Sequence, residues 1–422
     1  MRATFLHMAD CHLGYRQYNS RERQNDFTRA YLEIIDVAID RRVDFVLLAG
    51  DLFEKRAIDP LTLVHAINGL ERLKQAGIPC LAVEGNHERT YYRHSIGWMN
   101  FLAERQLLTL LNPKIDDRRV SLTPYGNHHG AYVEPVPGLR VYGMRYFGIS
   151  TAHVVRRVAD ALAKVNSHNV EYTIFMAHAG VEGAVPPQGG GISHRELAVL
   201  RPYVDYLALG HFHKPYTFDN WIYNPGSPET NSLTESAWPK RGYYLVEVDT
   251  NTETKHSPVL HANSRRPFVR LFFEVDACET PGQLLEECRR YIKRRRREFW
   301  GSEPVVELRL SGVLPFDRSA LATEPLKQIV DDLYKPLLSF VRSDVLGAEF
   351  AVDPNNQLSR SELERQIIVD LLRRDIRFRA RSAKWADLAL AVKQAAISGD
   401  PADAILEKLA SDEVRLMEGK EM

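Results

Sequence analysis

Six apolar runs mark the first half of the chain: Thr4–Ala9, Asp44–Ala49, Pro79–Glu84, Arg140–Met144, Tyr172–Ala177 and Tyr206–Leu209. Five of them stop at residues able to bind a metal ion. Asp10 and His12 follow the first run, Asp51 the second, Asn86 and His87 the third, His178 the fifth, and His211 with His213 the last. The amphipathic stretches between the runs read as helices packed on the strands, so the fold class is α/β. In such folds sites assemble where strands end, and the repeated placement predicts one shared site.

Residue types and spacings say what that site holds. Asp10 and His12 are two apart, as are His211 and His213, and alternate strand residues share a face. Asp51 follows Gly50, which lets the backbone turn tightly at the strand end and offers a carboxylate that two cations can share. Asn86 adds an amide oxygen. Seven candidate ligands, Asp10, His12, Asp51, Asn86, His178, His211 and His213, suit two divalent ions with a shared carboxylate, a centre that activates water and braces a phosphoryl displacement. Carboxylate, amide and imidazole without thiolate favour Mn²⁺, Fe²⁺ or Zn²⁺ over Ca²⁺. Among the other histidines, His7 reads as a packed strand residue, His128 and His129 as exposed turn residues, and His65, His153 and His168 as helix positions.

Charge narrows the partners. Lys plus Arg and Asp plus Glu both number 55, so no whole-molecule field attracts nucleic acid and any DNA contact is local. The densest basic run, Arg289, Arg290, Lys293, Arg294, Arg295, Arg296 and Arg297, falls in a helix, where a solvated face and a phosphate-contacting face are equally consistent with it. Cys11, Cys80, Cys278 and Cys288 show no pairing or CxxC spacing, and no apolar run approaches the ~20 residues of a membrane span. The expectation is a cytoplasmic protein with reduced thiols and no membrane contact.

With 422 residues the chain should form two or three domains. Residues 1–262 form the α/β domain. Residues 263–353 read as a small α+β domain, with strands at Phe268–Val275 and Val305–Leu310 and helices at Pro281–Phe299 and Leu321–Tyr334. After Asp353–Gln357, residues 358–422 form a helical segment. It carries one apolar stripe on Leu363, Ile367, Ile368, Leu371 and Leu372, and a second on Trp385, Leu388, Ala389, Val392 and Ala396.

The five polar motifs in this order resemble the calcineurin-like metallophosphoesterase superfamily. The linking sequence, from His12 to Tyr18, Gly50 to Phe53, Glu84 to His87, Leu209 to His213 and Asn224 to Glu229 (NPGSPE), is similar to the SbcD and meiotic recombination eleven nucleases of DNA double-strand-break repair. The resemblance implies a four-layer β-sandwich flanked by helices, and two Mn²⁺ ions. Asp10, His12, Asp51 and His213 would hold one ion, and Asp51, Asn86, His178 and His211 the other. His87 would be the general acid or transition-state stabiliser.

The same resemblance implies 3′–5′ exonuclease and single-strand endonuclease activity, a DNA-capping role for 263–353, and docking of an SbcC-type coiled-coil ATPase on 358–422. It also implies a homodimer through helices near Pro60–Leu73 and Ser95–Leu102, with Leu63, Ile67 and Leu70 on one face. One residue departs from the pattern: Glu54 stands where archaeal and eukaryotic relatives usually carry a phosphate-proximal histidine. The alternatives are a metallophosphoesterase acting on another phosphodiester or phosphomonoester, against which the protein-phosphatase GDxVDRG pattern is missing at Gly50–Arg56, and a scaffold for the ATPase.

Overall fold

A computed structural model describes every residue except 90–95, 117–118, 166–167, 185–190, 300, 348–359, 376, 399 and 419–422. In chain order the strands of the first unit are β1 (Arg2–Met8), β2 (Phe45–Leu48), β3 (Cys80–Ala82), β4 (Thr109–Leu110), the ribbon β5 (Lys114–Ile115) and β6 (Val120–Ser121), and then β7 (Tyr132–Val136) and β8 (Leu139–Met144). They continue with β9 (Tyr172–His178), β10 (Tyr206–Gly210), β11 (Tyr216–Phe218), β12 (Ile222–Asn224), β13 (Gly242–Asp249) and β14 (His256–Ala262). Two six-stranded sheets result, ordered β14-β13-β1-β2-β3-β4 and β11-β12-β10-β9-β8-β7.

Strand periodicity dictates the layers. Phe5 and Phe45 face the second sheet, where Ile174, Met176, Tyr206 and Tyr223 complete the central core. Their neighbours Leu6, Met8, Val46 and Leu48 point outward onto α1 (Arg21–Asp40), α2 (Pro60–Gln75) and α3 (Trp98–Glu104). On the far side, Phe175, Ala177, Leu207 and Leu209 meet α4 (Thr151–Leu162) and α5 (His194–Leu197). This is the four-layer sandwich, helices outside and two sheets within. Local chemistry starts the helices: Ser20 accepts the Arg23 N–H at 3.2 Å before α1, and Asp59 caps α2 at 2.8 Å with Pro60 in its first turn.

The parallel register aligns strand ends. Met8 lies beside Leu48 and Leu48 beside Ala82 in one sheet, while His178 lies beside Gly210 in the other. The loops leaving β1, β2, β3, β9 and β10 therefore open on one edge of the sandwich.

Three expectations are corrected here. Leu70 is fully buried and Leu63 and Ile67 pack against the same core, so the stripe proposed for a dimer faces its own domain. Ser95 lies outside the described residues, and Met99 and Leu102 are buried too. His168 sits in a turn after α4 rather than in a helix, because α4 ends at Leu162. His128 is half-buried, its Nδ1 3.2 Å from the Ala103 carbonyl, while His129 is exposed. His7 is buried between the Tyr206 hydroxyl at 3.1 Å and the Leu209 carbonyl at 3.0 Å, and burial lowers its pKa to about 3.

The chain divides into two compact units, residues 1–270 with 300–307 and 334–339 in the first, and 271–299, 308–333 and 340–422 in the second. The chain after β14 forms β15 (Phe268–Glu274), α6 (Pro281–Arg297), β16 (Val305–Ser311), β17 (Val313–Leu314), α7 (Thr323–Tyr334), β18 (Leu338–Ser343) and β19 (Leu346–Gly347), the first residues of β15, β16 and β18 counting with the first unit. Cys288 and Ile292 of α6 are buried, as are Leu308 and Leu310 of β16 and Val330 of α7. The basic run lies along α6, where Arg290 pairs with Glu287, Arg295 with Glu298 at 2.5 Å, and Arg296 donates to the Leu333 carbonyl at 3.0 Å. Helices α8 (Arg360–Arg374), α9 (Ser382–Ser398) and α10 (Ala402–Glu418) follow, with Arg365 of α8 bound to Asp387 of α9 at 2.5 Å. The expected linker Asp353–Gln357 lies outside the described residues.

Candidate metal centre

All seven predicted ligands meet at the strand-end edge. Asp10, His12 and His213 form one group whose ligand atoms lie within 4.8 Å of one another, and Asp51, His178 and His211 form a second. Asn86 joins the second, its Oδ1 3.0 Å from His178 Nε2. Backbone hydrogen bonds tie the loops together: Asp10 N–H to Gly50 O at 3.0 Å and His12 N–H to Asp51 O at 3.1 Å. The His211 N–H donates to both Asp10 carboxylate oxygens at 3.0 Å.

Four of these residues hold left-handed backbone: Asp10 at φ 55°, His12 at 47°, Asp51 at 53° and His211 at 98°. Asp and His visit this region more readily than most residues, yet four together signal a functional constraint. The glycines make room. A Cβ on Gly50, itself at φ 90°, would stand 2.3 Å from His178 Nδ1, and one on Gly85 would stand 2.0 Å from Asp51 Oδ1.

Ring partners show which nitrogens face inward. His178 Nδ1 donates to the Ala49 carbonyl at 2.7 Å, so its Nε2 is the nitrogen turned to Asn86 Oδ1 at 3.0 Å and to Asp51 Oδ2 at 3.2 Å. His213 Nδ1 meets Glu235 Oε1 at 2.9 Å, and His12 Nδ1 stands 2.9 Å from Glu54 Oε2. The Nε2 atoms of His12 and His213 face each other at hydrogen-bond distance, 3.0 Å. Carboxylate and amide oxygens and imidazole nitrogens converge in each group, the donor types that divalent first-row ions take. The donor set thus fits divalent cations at both groups.

Burial lowers the His178 pKa, but the Asp51 charge and hydrogen bond override it and bring it to about 9. Burial likewise pushes Asp51 up, yet His178 holds that carboxyl far below the usual range. Asp10 is raised by burial, and His211 falls to about 3 through burial and the charge of His178. Cys11, between two ligands, is no donor: burial and the Asp10 charge hold its thiol well above the usual range.

His87 stands in a third cluster of possible donors, with His12 and Glu54. Its Nδ1 donates to the Glu54 carbonyl at 2.7 Å, its N–H donates to Asp51 Oδ1 at 3.0 Å, and its Nε2 lies 3.9 Å from Asp51 Oδ2. With the side chain 35% exposed, it stands open to a substrate beside the centre.

Residue types alone did not single out the supporting residues. Glu88 accepts the N–H of Phe53 at 3.0 Å and of Gly85 at 3.0 Å, clamping two ligand loops, and burial pushes its pKa to about 8. Glu235 is held by Arg241 at 3.0 Å and the Asn231 N–H at 2.8 Å. Tyr146 sets its ring 5.2 Å from that of His211. In the NPGSPE segment, Asn224 donates to the carbonyls of Phe212 at 2.6 Å and Lys214 at 2.8 Å, fixing the loop that carries His211 and His213.

A four-layer sandwich with divalent-cation donors at its strand ends defines a metal-dependent phosphoesterase. Residues 3–215, half of the chain, match the Calcineurin-like phosphoesterase family, and the chain belongs to it. It is similar to three proteins named DNA double-strand break repair protein Mre11. That of Sulfolobus acidocaldarius is 26% identical over 388 residues, 87% of this chain and 94% of that protein. That of Saccharolobus solfataricus is 30% identical over 262 residues, 60% of this chain and 61% of its own length. The Haloferax volcanii protein is 31% identical over 313 residues, 73% of this chain and 61% of its own length. The chain thus spans nearly all of the first relative and about three-fifths of the other two.

Proposed function

We propose that this chain is the Mn²⁺-dependent nuclease subunit of an SbcCD-type DNA double-strand-break repair complex, a 3′–5′ exonuclease and single-strand endonuclease. The observation that carries the reading is the pair of ligand groups meeting around Asp51 in a phosphoesterase whose relatives bear the repair-protein name. Asp10, His12, Asp51 and His213 would hold one ion and Asp51, Asn86, His178 and His211 the other. When bound, two such ions supply the charge that activates water and offsets the charge gathering on phosphate oxygens.

The protein's own groups do the rest. Asp51 is the shared ligand. Protonated His87, its Nδ1–H fixed on the Glu54 carbonyl, presents Nε2–H to the departing alkoxide as general acid. Residues 263–353 serve as the DNA-capping domain and 358–422 as the docking segment for an SbcC-type coiled-coil ATPase. Exposed Leu61, Val64 and Ile96, in place of the buried stripe, are apolar residues near those helices that a second copy could cover in a homodimer. Glu54 is proposed to act through His12 as well as beside the phosphate.

The test is a Mn²⁺-dependent assay on plasmid, linear duplex, single-stranded DNA and a chromogenic phosphodiester, with a pull-down from the native host. DNA cleavage with recovery of a coiled-coil ATPase is expected. Hydrolysis of the small ester with no cleavage of any DNA would favour a phosphoesterase for another substrate, and no hydrolysis at all would favour a scaffold.

A further inference from the structure

The two ligand groups are not equivalent in what stands behind them. His213 presents Nε2 to the first group with Glu235 hydrogen-bonded at Nδ1, 2.9 Å away, while the Glu54 carboxylate sets its charge 2.9 Å from His12 Nδ1 without an aligned hydrogen bond. His178 leans instead on the neutral Ala49 carbonyl, and Asn86 is itself neutral. A carboxylate on the far nitrogen makes an imidazole a stronger donor, fixes its tautomer and locks the ring. It also adds negative charge within a few ångströms of the ion, in surroundings that screen poorly.

Charge follows the same division. The first group has Asp10, the shared Asp51, and Glu54 and Glu235 behind its histidines, whereas Asp51 is the carboxylate in the second group. Arg241 at 3.0 Å offsets part of the Glu235 charge, leaving the first side more negative. Glu88, a buried carboxyl close by, spends both oxygens on the Phe53 and Gly85 N–H groups.

We propose that Glu54 and Glu235 are positioning residues that make the two half-sites unequal, so that the Asp10, His12 and His213 side takes its ion first and holds it longer. The Asn86, His178 and His211 side is the exchangeable one. Sequence offers no hint of this: Glu235 lies 22 residues from His213, in a short helical turn (Leu233–Ala237). The proposal rests on the metal-centre reading and not on DNA as the substrate.

Calorimetric titration of the full chain with Mn²⁺ alone tests it, with thermal unfolding of each variant as the control for folding. The wild type should bind in two separable steps, and Asn86→Ala should remove the weaker one. Glu54→Gln and Glu235→Gln should each weaken the tighter step by about ten- to a hundredfold and leave the weaker step in place. Should Glu235→Gln fail to fold, Glu54→Gln, on a side chain 18% exposed, carries the test alone. Two equal steps in the wild type, loss of the tighter step in Asn86→Ala, or equal weakening of both steps by the Glu variants would overturn the proposal. No Mn²⁺ uptake by the wild type would overturn the metal-centre reading itself, and the proposal with it.

Discussion

Asp51 Oδ2 and His178 Nε2 meet at 3.2 Å although they leave different sheets, Asp51 just beyond β2 and His178 as the last residue of β9. The contact couples the two halves of the sandwich at the edge where the chemistry is placed.

Asp51→Asn should therefore abolish hydrolysis and spare the fold. The amide keeps the shape and an oxygen that can accept the His87 N–H, but removes the charge proposed to serve both ions. A chromogenic phosphodiester assay in Mn²⁺ should show a fall of at least about a hundredfold, with the melting temperature little changed. Retention of both bound metal and activity would disprove the sharing.

Gly50→Ala should damage the centre without touching a ligand. Its Cβ would sit 2.3 Å from the His178 ring in backbone already at φ 90°. We expect a stability loss of about 1–3 kcal/mol together with weaker metal uptake, read by unfolding and by metal analysis of the purified variant. An unchanged metal content would show that the His178 ring can move aside.

Asp26 anchors the chain between α1 and the end of the first unit. Buried in the fold, it accepts from Arg23 at 2.6 Å, Arg29 at 2.5 Å and Arg266 at 2.6 Å. Burial pushes its carboxyl up, but the hydrogen bond from Arg266 and the charge of Arg23 outweigh it and hold the pKa below the usual range. The unfolded chain thus takes the proton first: the stabilisation is complete above the ordinary Asp range and is lost as pH falls through the folded value. Asp26→Asn should cost about 3 kcal/mol at neutral pH and flatten the acid limb of the stability profile. Urea unfolding from neutral pH down to about pH 3 measures both, and an undiminished acid limb would assign that limb to other carboxylates.

Ending the chain before Ser359 should leave Mn²⁺-dependent cleavage intact and abolish capture of the ATPase. Ile367 and Leu371 of α8 and Ile397 of α9 are exposed, and a partner's groove would cover such a face. Equal capture by the shortened chain would remove the docking role from these helices.

The strand-end ligands were legible because each follows an apolar run, and parallel register then brings the runs' ends together whatever the loops between them do. Glu235 was not legible: its role depends on a turn folding back onto His213, which no local pattern announces. Glu54 was read for its charge near a phosphate, while its carboxylate lies 2.9 Å from the His12 ring. The stripe Leu63, Ile67 and Leu70 shows the limit of helical periodicity, which marks a buried face without saying whether the covering surface belongs to the same chain or to another.

Asp10, His12, Asp51 and His211 all stand in left-handed backbone, a conformation that costs an ordinary residue about 1–2 kcal/mol and glycine almost nothing. Glycine at Asp10, whose carboxyl burial raises, would relieve that strain and the burial of a charge while removing a ligand. Thermostability and catalysis therefore favour opposite residues at that position. A laboratory selection that rewarded only resistance to heat would empty this edge of the sandwich of its chemistry first and leave the rest of the fold intact.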